Sequence, residues 1–340
     1  MSKKVLLTSA IAIILSACAA PAPRAAAPAA GAAAAPADAG AKWCSGMKIR
    51  FFVGGDAGTP FAKIVDAGAK AAEKDLGATV EYVYSGWNNE KMLTQLRDAI
   101  AAKPDGIAMM GHAGDDAIMP LAKAAKEAGI RMMYQNVDVP KVRAAIGGGY
   151  VGANLNPQGH ALAAEAINRL KLDKSKDHIL VIGPWGMPGR NIREGGVAEE
   201  FTAQGFTVTK ADDTNTHGDA SLLQPILTGA LLADPAIKVI VHSGSTIGSQ
   251  ETYMKALNKK VGDIYAIGFD VSPEILTNME RGYVQLTSDQ QPFLQGYMPI
   301  LSLCGTWKYD LAPLNVDTGA GFVHTDNYKS LLKLAADGVR

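Results

Sequence analysis

This sequence has little that would make it a membrane span, a nucleic-acid binder or a metal scaffold. No apolar run in its 340 residues reaches the ~18 that a spanning helix needs, which excludes a channel. Its 33 Lys and Arg are matched by 33 Asp and Glu, so it carries no electrostatic footprint for nucleic acid. Three cysteines are too few for a disulfide scaffold or a Cys-rich metal site. The six histidines are scattered, with no pair at His-x-x-x-His spacing, so no metal is expected. A phosphate-cradling P-loop is missing, as is the Gly-x-Ser-x-Gly elbow of a serine hydrolase. Gly54-Gly55-Asp56-Ala57-Gly58 does not have the glycine spacing of a dinucleotide site, so no cofactor is expected. Aromatics make up only 6% of the chain. What is present is a hydrophobic content of 48% and 36 glycines, a mix suited to a large core and tight β-to-α loops. The length fits roughly two lobes of ordinary domain size.

The N-terminus reads as an address. Lys3 and Lys4 precede a short apolar stretch at 5–15, the pattern of a secretory signal. It ends in Leu15-Ser16-Ala17-Cys18, which resembles the bacterial lipobox. That resemblance implies removal of residues 1–17 and a lipid on Cys18. The alternative is an ordinary signal peptide with Cys18 incidental. Residues 18–46 are then an Ala/Pro-rich linker, because repeated Pro blocks a continuous helix and there is little apolar bulk to bury. Cys44 and Cys304 either pair in an oxidising compartment or stay as two buried thiols.

From Met47 onward short apolar strands alternate with helix faces. Strands are expected at 48–53, 79–84, 106–110 and 131–134. Phe61, Ile64, Val65, Gly68 and Ala72 fall on one helical face, as do Met92, Leu93, Leu96 and Ile100. Such strands imply an α/β fold with parallel sheets covered on both faces. The order then recurs. Residues 48–81 read strand, loop with Pro60, helix, Gly77, strand; residues 178–208 read strand, loop with Pro188, helix, Gly205, strand. Pro60 to Pro104 spans 44 residues and Pro188 to Pro235 spans 47. This echo predicts two similar doubly wound lobes, with functional loops at the carboxyl ends of the strands lining a ligand cleft between them.

Those loops carry planar polar and aromatic side chains. Asp56, Thr59 and Phe61 follow the first strand, Trp87 the second and Asn136 the fourth. Trp185, Arg190 and Arg193 follow the first strand of the second lobe, and Asp270 and Gln290 follow later ones. Carboxylates, amides and guanidinium groups make paired, directed hydrogen bonds that suit vicinal hydroxyls. A buried polyol needs every hydroxyl partnered, so its cleft must be rich in such groups. Bland alternatives exist for several. Asp56 or Thr59 caps the following helix equally well. Phe61 also suits the core, Trp87 a helix end, and Arg190 solvent. Asp270, ending an apolar strand, is the least comfortable without a ligand.

The body from about Met47 to the end resembles type I periplasmic binding proteins of the ribose/galactose-binding group, the substrate receptors of ABC importers. The resemblance rests on Thr59-Pro60-Phe61, on residues 183–193, on Gly268-Phe269-Asp270, and on Gln290-Gln291-Pro292 followed by Gly296. It implies that Phe61 stacks on a sugar ring and that Thr59, Asn136, Arg193, Asp270 and Gln290 reach hydroxyls. Arg193 lies seven residues after Gly186, the family spacing, which favours it over Arg190. Departures occur at Gly111-His112, at Gly218-Asp219 and at Ser243-Gly244-Ser245, and these put ribose, glucose and galactose in doubt as ligands. Trp185 is the candidate for a missing aromatic face. Family tracing implies a three-crossing hinge, with one lobe at 47–153 plus 289–312 and the other at 154–288 plus 313–340. Cys44 and Cys304 then share a lobe, which favours a pair.

The expected protein is a lipid-anchored, monomeric envelope receptor that needs no cofactor and does no chemistry. It closes on a sugar or related polyol and presents it to a membrane permease and its ATPase. Alternatives are a sensory receptor for a small hydroxylated ligand and an envelope enzyme acting on a sugar.

Overall fold

In this computed structural model the described residues are 41–187, 190–216, 218–319 and 321–340. The expected signal at 1–17, Cys18, the linker as far as residue 40, Pro188 and His217 lie outside them.

The apolar stretches become strands, buried on both faces in the middle of each sheet and half exposed at the edges. The first lobe contains β1 (Lys48–Gly54), β2 (Thr79–Tyr84), β3 (Gly106–Met110), β4 (Arg131–Gln135) and β5 (Gly149–Gly152). They alternate with α1 (Pro60–Leu76), α2 (Asn89–Ala101), α3 (Asp115–Glu127) and α4 (Pro140–Ile146). In β3 every residue is buried, as a parallel strand covered on both faces requires. The chain then enters α5 (Leu155–Leu170) and builds the second sheet from β6 (His178–Gly183), β7 (Val208–Asp212), β8 (Ile237–Val241), β9 (Tyr265–Phe269) and β10 (Leu286–Asp289). Its helices are α6 (Ile192–Ala203), α7 (Ala220–Ala233), α8 (Gln250–Ala256) and α9 (Pro273–Glu280). Next come α10 (Pro292–Tyr309), β11 (Asn315–Asp317), β12 (Gly321–His324) and α11 (Leu332–Ala336).

The sheet orders are β11-β5-β4-β3-β1-β2 and β12-β10-β9-β8-β6-β7. Apart from β11 and β12, each lobe therefore repeats one order, with its second strand at the edge and its first strand beside the third. Pairing is parallel throughout except between β12 and β10. Phe51 stands opposite Tyr82 in the first sheet, and Val181 opposite Lys210 in the second. The order reverses between β1 and β3 and again between β6 and β8, and such switch points open crevices at the strands' carboxyl ends. Both sheets belong to one compact unit, Ala41–Arg340.

The first lobe holds one continuous core, from Cys44, Met47 and Phe51 to Ile300, Leu303 and Cys304. Helix α10 lies close against α1. A Cβ at Gly296 would sit 2.0 Å from the Val65 carbonyl oxygen, so only glycine permits this approach. Apolar layers on the second sheet form three further cores, one around Val181, Phe201 and Phe269, one around Leu180, Ile240 and Met254, and one around Ala266, Ile275 and Val323.

Two expected boundaries move. Residues 41–46 join the body rather than the linker. Cys44 is fully buried, its N–H donates to the Leu76 carbonyl at 2.9 Å, and a disulfide joins it to Cys304 with the Cα atoms 5.6 Å apart. The last passage between sheets comes after Asp317, later than the expected break at 312/313. The reason is that Asn315, Val316 and Asp317 pair with Tyr150, Val151 and Gly152, extending the first sheet. The chain thus passes between the sheets three times, after β5, after β10 and after β11.

Candidate functional site

The carboxyl ends of both sheets border a cavity of about 730 Å³. Phe61, Trp87, Asn136, Arg193, Asp270 and Gln290 all line it, although they come from six separate loops or helix starts.

Asn136 and Asp270 occupy equivalent places in the two lobes, directly after β4 and β9. Both have left-handed backbones, at φ 64° and 74°, which Asn and Asp tolerate better than other non-glycine residues. Each N–H reaches across to the next strand: Asn136 donates to the Val151 carbonyl at 3.1 Å, Asp270 to the Ser288 carbonyl at 3.0 Å. Gln290, at the second crossing, joins the pair. Its Nε2 donates to Asp270 Oδ1 at 2.5 Å, and its Oε1 accepts from Asn136 Nδ2 at 3.2 Å. Gln295 Oε1 also accepts from Asn136 at 3.1 Å, so the amides are held from behind. Burial pushes the Asp270 carboxyl above the usual carboxylate range, against the pull of Arg193 and of the Gln290 hydrogen bond.

Aromatic side chains line the same cavity. Phe61, on the first turn of α1, tilts against Trp87 with ring centroids 5.8 Å apart. Trp87 in turn meets His112 at 5.2 Å. Trp87 holds a left-handed backbone at φ 58°, a cost of about 1–2 kcal/mol that the surrounding packing offsets. Together these rings provide flat apolar surface beside donors and acceptors, the combination that a sugar's C–H face and hydroxyl edge require.

The second lobe adds charge. Arg193, on the first turn of α6, lies over the Phe269 ring with its guanidinium carbon 3.8 Å from the centroid. It meets Glu194 Oε1 at 3.3 Å and donates to the Ser243 carbonyl. Its backbone is fixed by close packing, since a Cβ at Gly159 would sit 2.1 Å from the Arg193 carbonyl oxygen. The Ser243 hydroxyl donates to Asp213, which links the loops after β7 and β8. Burial raises the Glu194 carboxyl, with Arg193 opposing the shift, and burial raises Asp213 as well. His112 is held well below the ordinary imidazole range by burial, with the Arg190 charge adding to the effect.

Three sequence candidates are not on the cavity wall. Asp56 is exposed in the loop after β1, and its carbonyl accepts the Thr59 hydroxyl at 2.9 Å. Thr59 is thereby turned back onto its own loop. Trp185 packs against the second lobe's core, its indole N–H directed to the Val181 carbonyl at 3.3 Å with Lys210 Nζ 4.3 Å from the ring centroid. The loop after β6 folds that ring over its own strand. Conversely, Arg190 lines the cavity although solvent was one expectation for it, and so do Glu194 and Asp213, which sequence reasoning passed over. The available signal was positional, since Asp213 follows β7 and Glu194 adjoins Arg193.

Among the described residues no group of three His, Cys, Asp or Glu side chains is placed to hold a metal ion. No described helix is long and apolar enough to cross a membrane.

Comparison with known proteins gives a consistent picture. A family model described as a periplasmic binding protein domain matches residues 50–305. A xylose/arabinose-binding protein of Sulfolobus acidocaldarius is 34% identical over 126 residues, covering 32% of this chain and only 31% of that protein. Among solved structures, a carbohydrate transporter from Acidothermus cellulolyticus in complex with myo-inositol superposes with a TM-score of 0.72 at 22% identity. That match covers 86% of this chain and 99% of the other. A solute-binding protein from Burkholderia graminis in complex with D-arabinose gives a TM-score of 0.73 at 21% identity, covering 84% and 98%. At these identities the structural matches speak for the fold.

Proposed function

This chain belongs to the periplasmic binding protein domain family, and on that premise we propose that it is the substrate-binding receptor of an ABC importer that closes on a sugar and delivers it to a membrane permease. The observation that carries the reading is the Asn136–Gln290–Asp270 bridge and the Phe61–Trp87 wall in one cavity. Amide, carboxylate and guanidinium edges meet hydroxyls in the plane of a sugar ring, and the aromatic faces cover its C–H surface. The three passages between the sheets act as a hinge, and closure removes the bound hydroxyls from water only when each finds a partner. Ligand binding then shifts the population toward the closed form that the permease reads.

The receptor works as a monomer outside the cytoplasmic membrane, tethered through a lipid on Cys18 and the Ala/Pro-rich segment behind it. Mass spectrometry of the mature N-terminus tests the tether. A diacylated Cys18 is expected, and release of Cys18→Ala from the membrane fraction would follow; an unmodified N-terminus at another residue would refute the anchor. The binding claim is tested by a thermal-shift screen of pentoses, hexoses, alditols and cyclitols, followed by calorimetry on the hits. A saturable one-to-one sugar complex is expected, and a chain that binds none of these compounds contradicts it.

A further inference from the structure

The end of the first lobe opposite the cavity is basic, aromatic and exposed. Parallel pairing sets the starts of its strands in one row, with Lys48 beside Thr79 and Gly106 beside Arg131. Helix α10 runs toward the same end, since a Cβ at Gly106 would sit 3.0 Å from Leu303. Lys48, Lys103, Lys126 and Lys308 are exposed around this row, with Arg131 half-buried among them. None of the five forms an ion pair among the described residues. Of the acids beside them, Asp105 accepts the Lys48 N–H at 2.7 Å, while Glu127 and Asp310 stay exposed and oppose the field in part. Next to these cations Trp43 stacks on Tyr309 with ring centroids 5.8 Å apart, and Tyr309 and Leu311 are 56% and 57% exposed. Leu311 and Pro313 share a cavity of about 240 Å³ with Lys126 and Arg131. The chain also enters the body here, because Trp43 comes directly after Ala41 and Lys42, and residues 18–40 lead into them.

We propose that this end of the first lobe seats on the anionic lipid surface of the membrane that holds the anchor, with Tyr309 and Leu311 entering the headgroup layer and the lysines meeting phosphates. This rests on the lipid-anchored receptor reading above. The lipid holds the protein to the membrane; the seat decides how the body stands on it. Tyrosine and tryptophan favour the interface because one end of the ring is apolar and the other wet. Lysines near an anionic surface add electrostatic attraction. A bilayer answers both features at once, since phosphates and apolar depth lie within about 5–10 Å of each other. The tether brings this end, rather than the cavity, to the membrane first. Seated this way, the carboxyl ends of the strands and the cavity they border are turned from the lipid and open to ligand.

The test is co-sedimentation of the full chain carrying Cys18→Ala, which takes away the lipid, with vesicles of phosphatidylcholine alone or mixed with phosphatidylglycerol. Binding is expected to the mixed vesicles only, and it should weaken as salt is raised. Lys126→Gln with Lys308→Gln should lower the partition by roughly fivefold per lysine, roughly 25-fold for the pair. Tyr309→Ser with Leu311→Ser should lower it as well. All four positions are exposed, so both variants should fold, which melting curves check, and both should keep the sugar affinity of the parent by calorimetry. A chain that stays in the supernatant with mixed vesicles overturns the inference, as does equal binding to both vesicles or binding that neither variant lowers. Association with native membranes but with neither vesicle assigns the surface to a membrane protein and overturns the lipid assignment. Each of these failures leaves sugar binding in place. A chain that seats on mixed vesicles and binds no sugar supports the seat and removes the receptor reading instead.

Discussion

Asp270→Asn separates binding from folding better than any other single change in the cavity. The residue holds φ 74°, so Asp270→Ala would mix the loss of a carboxylate with backbone strain, whereas asparagine accepts this conformation. The substitution keeps shape and volume and leaves one oxygen for the Gln290 Nε2 that now meets Oδ1 at 2.5 Å. It removes the second carboxylate oxygen, the one a ligand hydroxyl would use, and replaces it with a donor. A hydrogen bond to a charged group is worth about 1.5–3 kcal/mol, so affinity should fall roughly 10- to 100-fold. Stability should move the other way. Burial raises the Asp270 carboxyl's pKa because the protein disfavours its charge, and Arg193 and Gln290 compensate only in part. Removing that charge relieves the cost, so the unliganded variant should melt at the same temperature or higher. Calorimetry against the best sugar and melting of the unliganded protein read the two effects separately. Affinity unchanged, or a melting temperature that falls in step with affinity, would refute the reasoning.

Other perturbations follow from the same contacts. Reducing the Cys44–Cys304 disulfide, which closes 260 residues of chain, should destabilise the body by about 2–5 kcal/mol and leave sugar affinity intact; melting with and without reductant checks this. Gly296→Ala drives a methyl into the Val65 carbonyl region and should cost about 1–3 kcal/mol by denaturant titration, through α1 and α10 being forced apart. His242 is buried and neutral, with its pKa lowered to about 4, so the unfolded chain takes up its proton first. Its contribution to stability is therefore intact above about pH 6.5 and is lost as pH falls toward 4, on the order of 3 kcal/mol, which the pH slope of His242→Gln relative to wild type should reveal. The raised carboxyls of Asp270, Glu194 and Asp213 act with the opposite sign, lowering stability as pH rises through their folded-state values, so Asp270→Asn should flatten that part of the stability profile.

The repeat was legible because each lobe writes the same punctuation: a short apolar strand, a glycine-containing loop, a helix and a glycine before the next strand. Asn136, Asp270 and Gln290 were legible for the same reason, since each directly follows a strand and a parallel sheet puts that position at the cleft. Periodicity does not say which way a loop side chain turns. Asp56 and Arg190 each lie in the loop after the first strand of a lobe. Asp56 is drawn back to the turn at Gly86, where a Cβ would stand 3.1 Å from its carboxylate, whereas Arg190 faces the cavity. Trp185 had the chemistry of a stacking platform, yet its indole N–H found a carbonyl four residues back on its own strand. Strand β11 escaped notice because three residues carry no periodicity, and only its pairing with β5 places the last crossing.

A crystal structure of the full chain with its best-binding sugar tests the account most directly. The ring should lie between the Phe61–Trp87 wall and the Arg193–Asp270 bed, with Gln290 joining both lobes beneath it. A sugar seated anywhere else, or one that binds without touching Asp270, would contradict it.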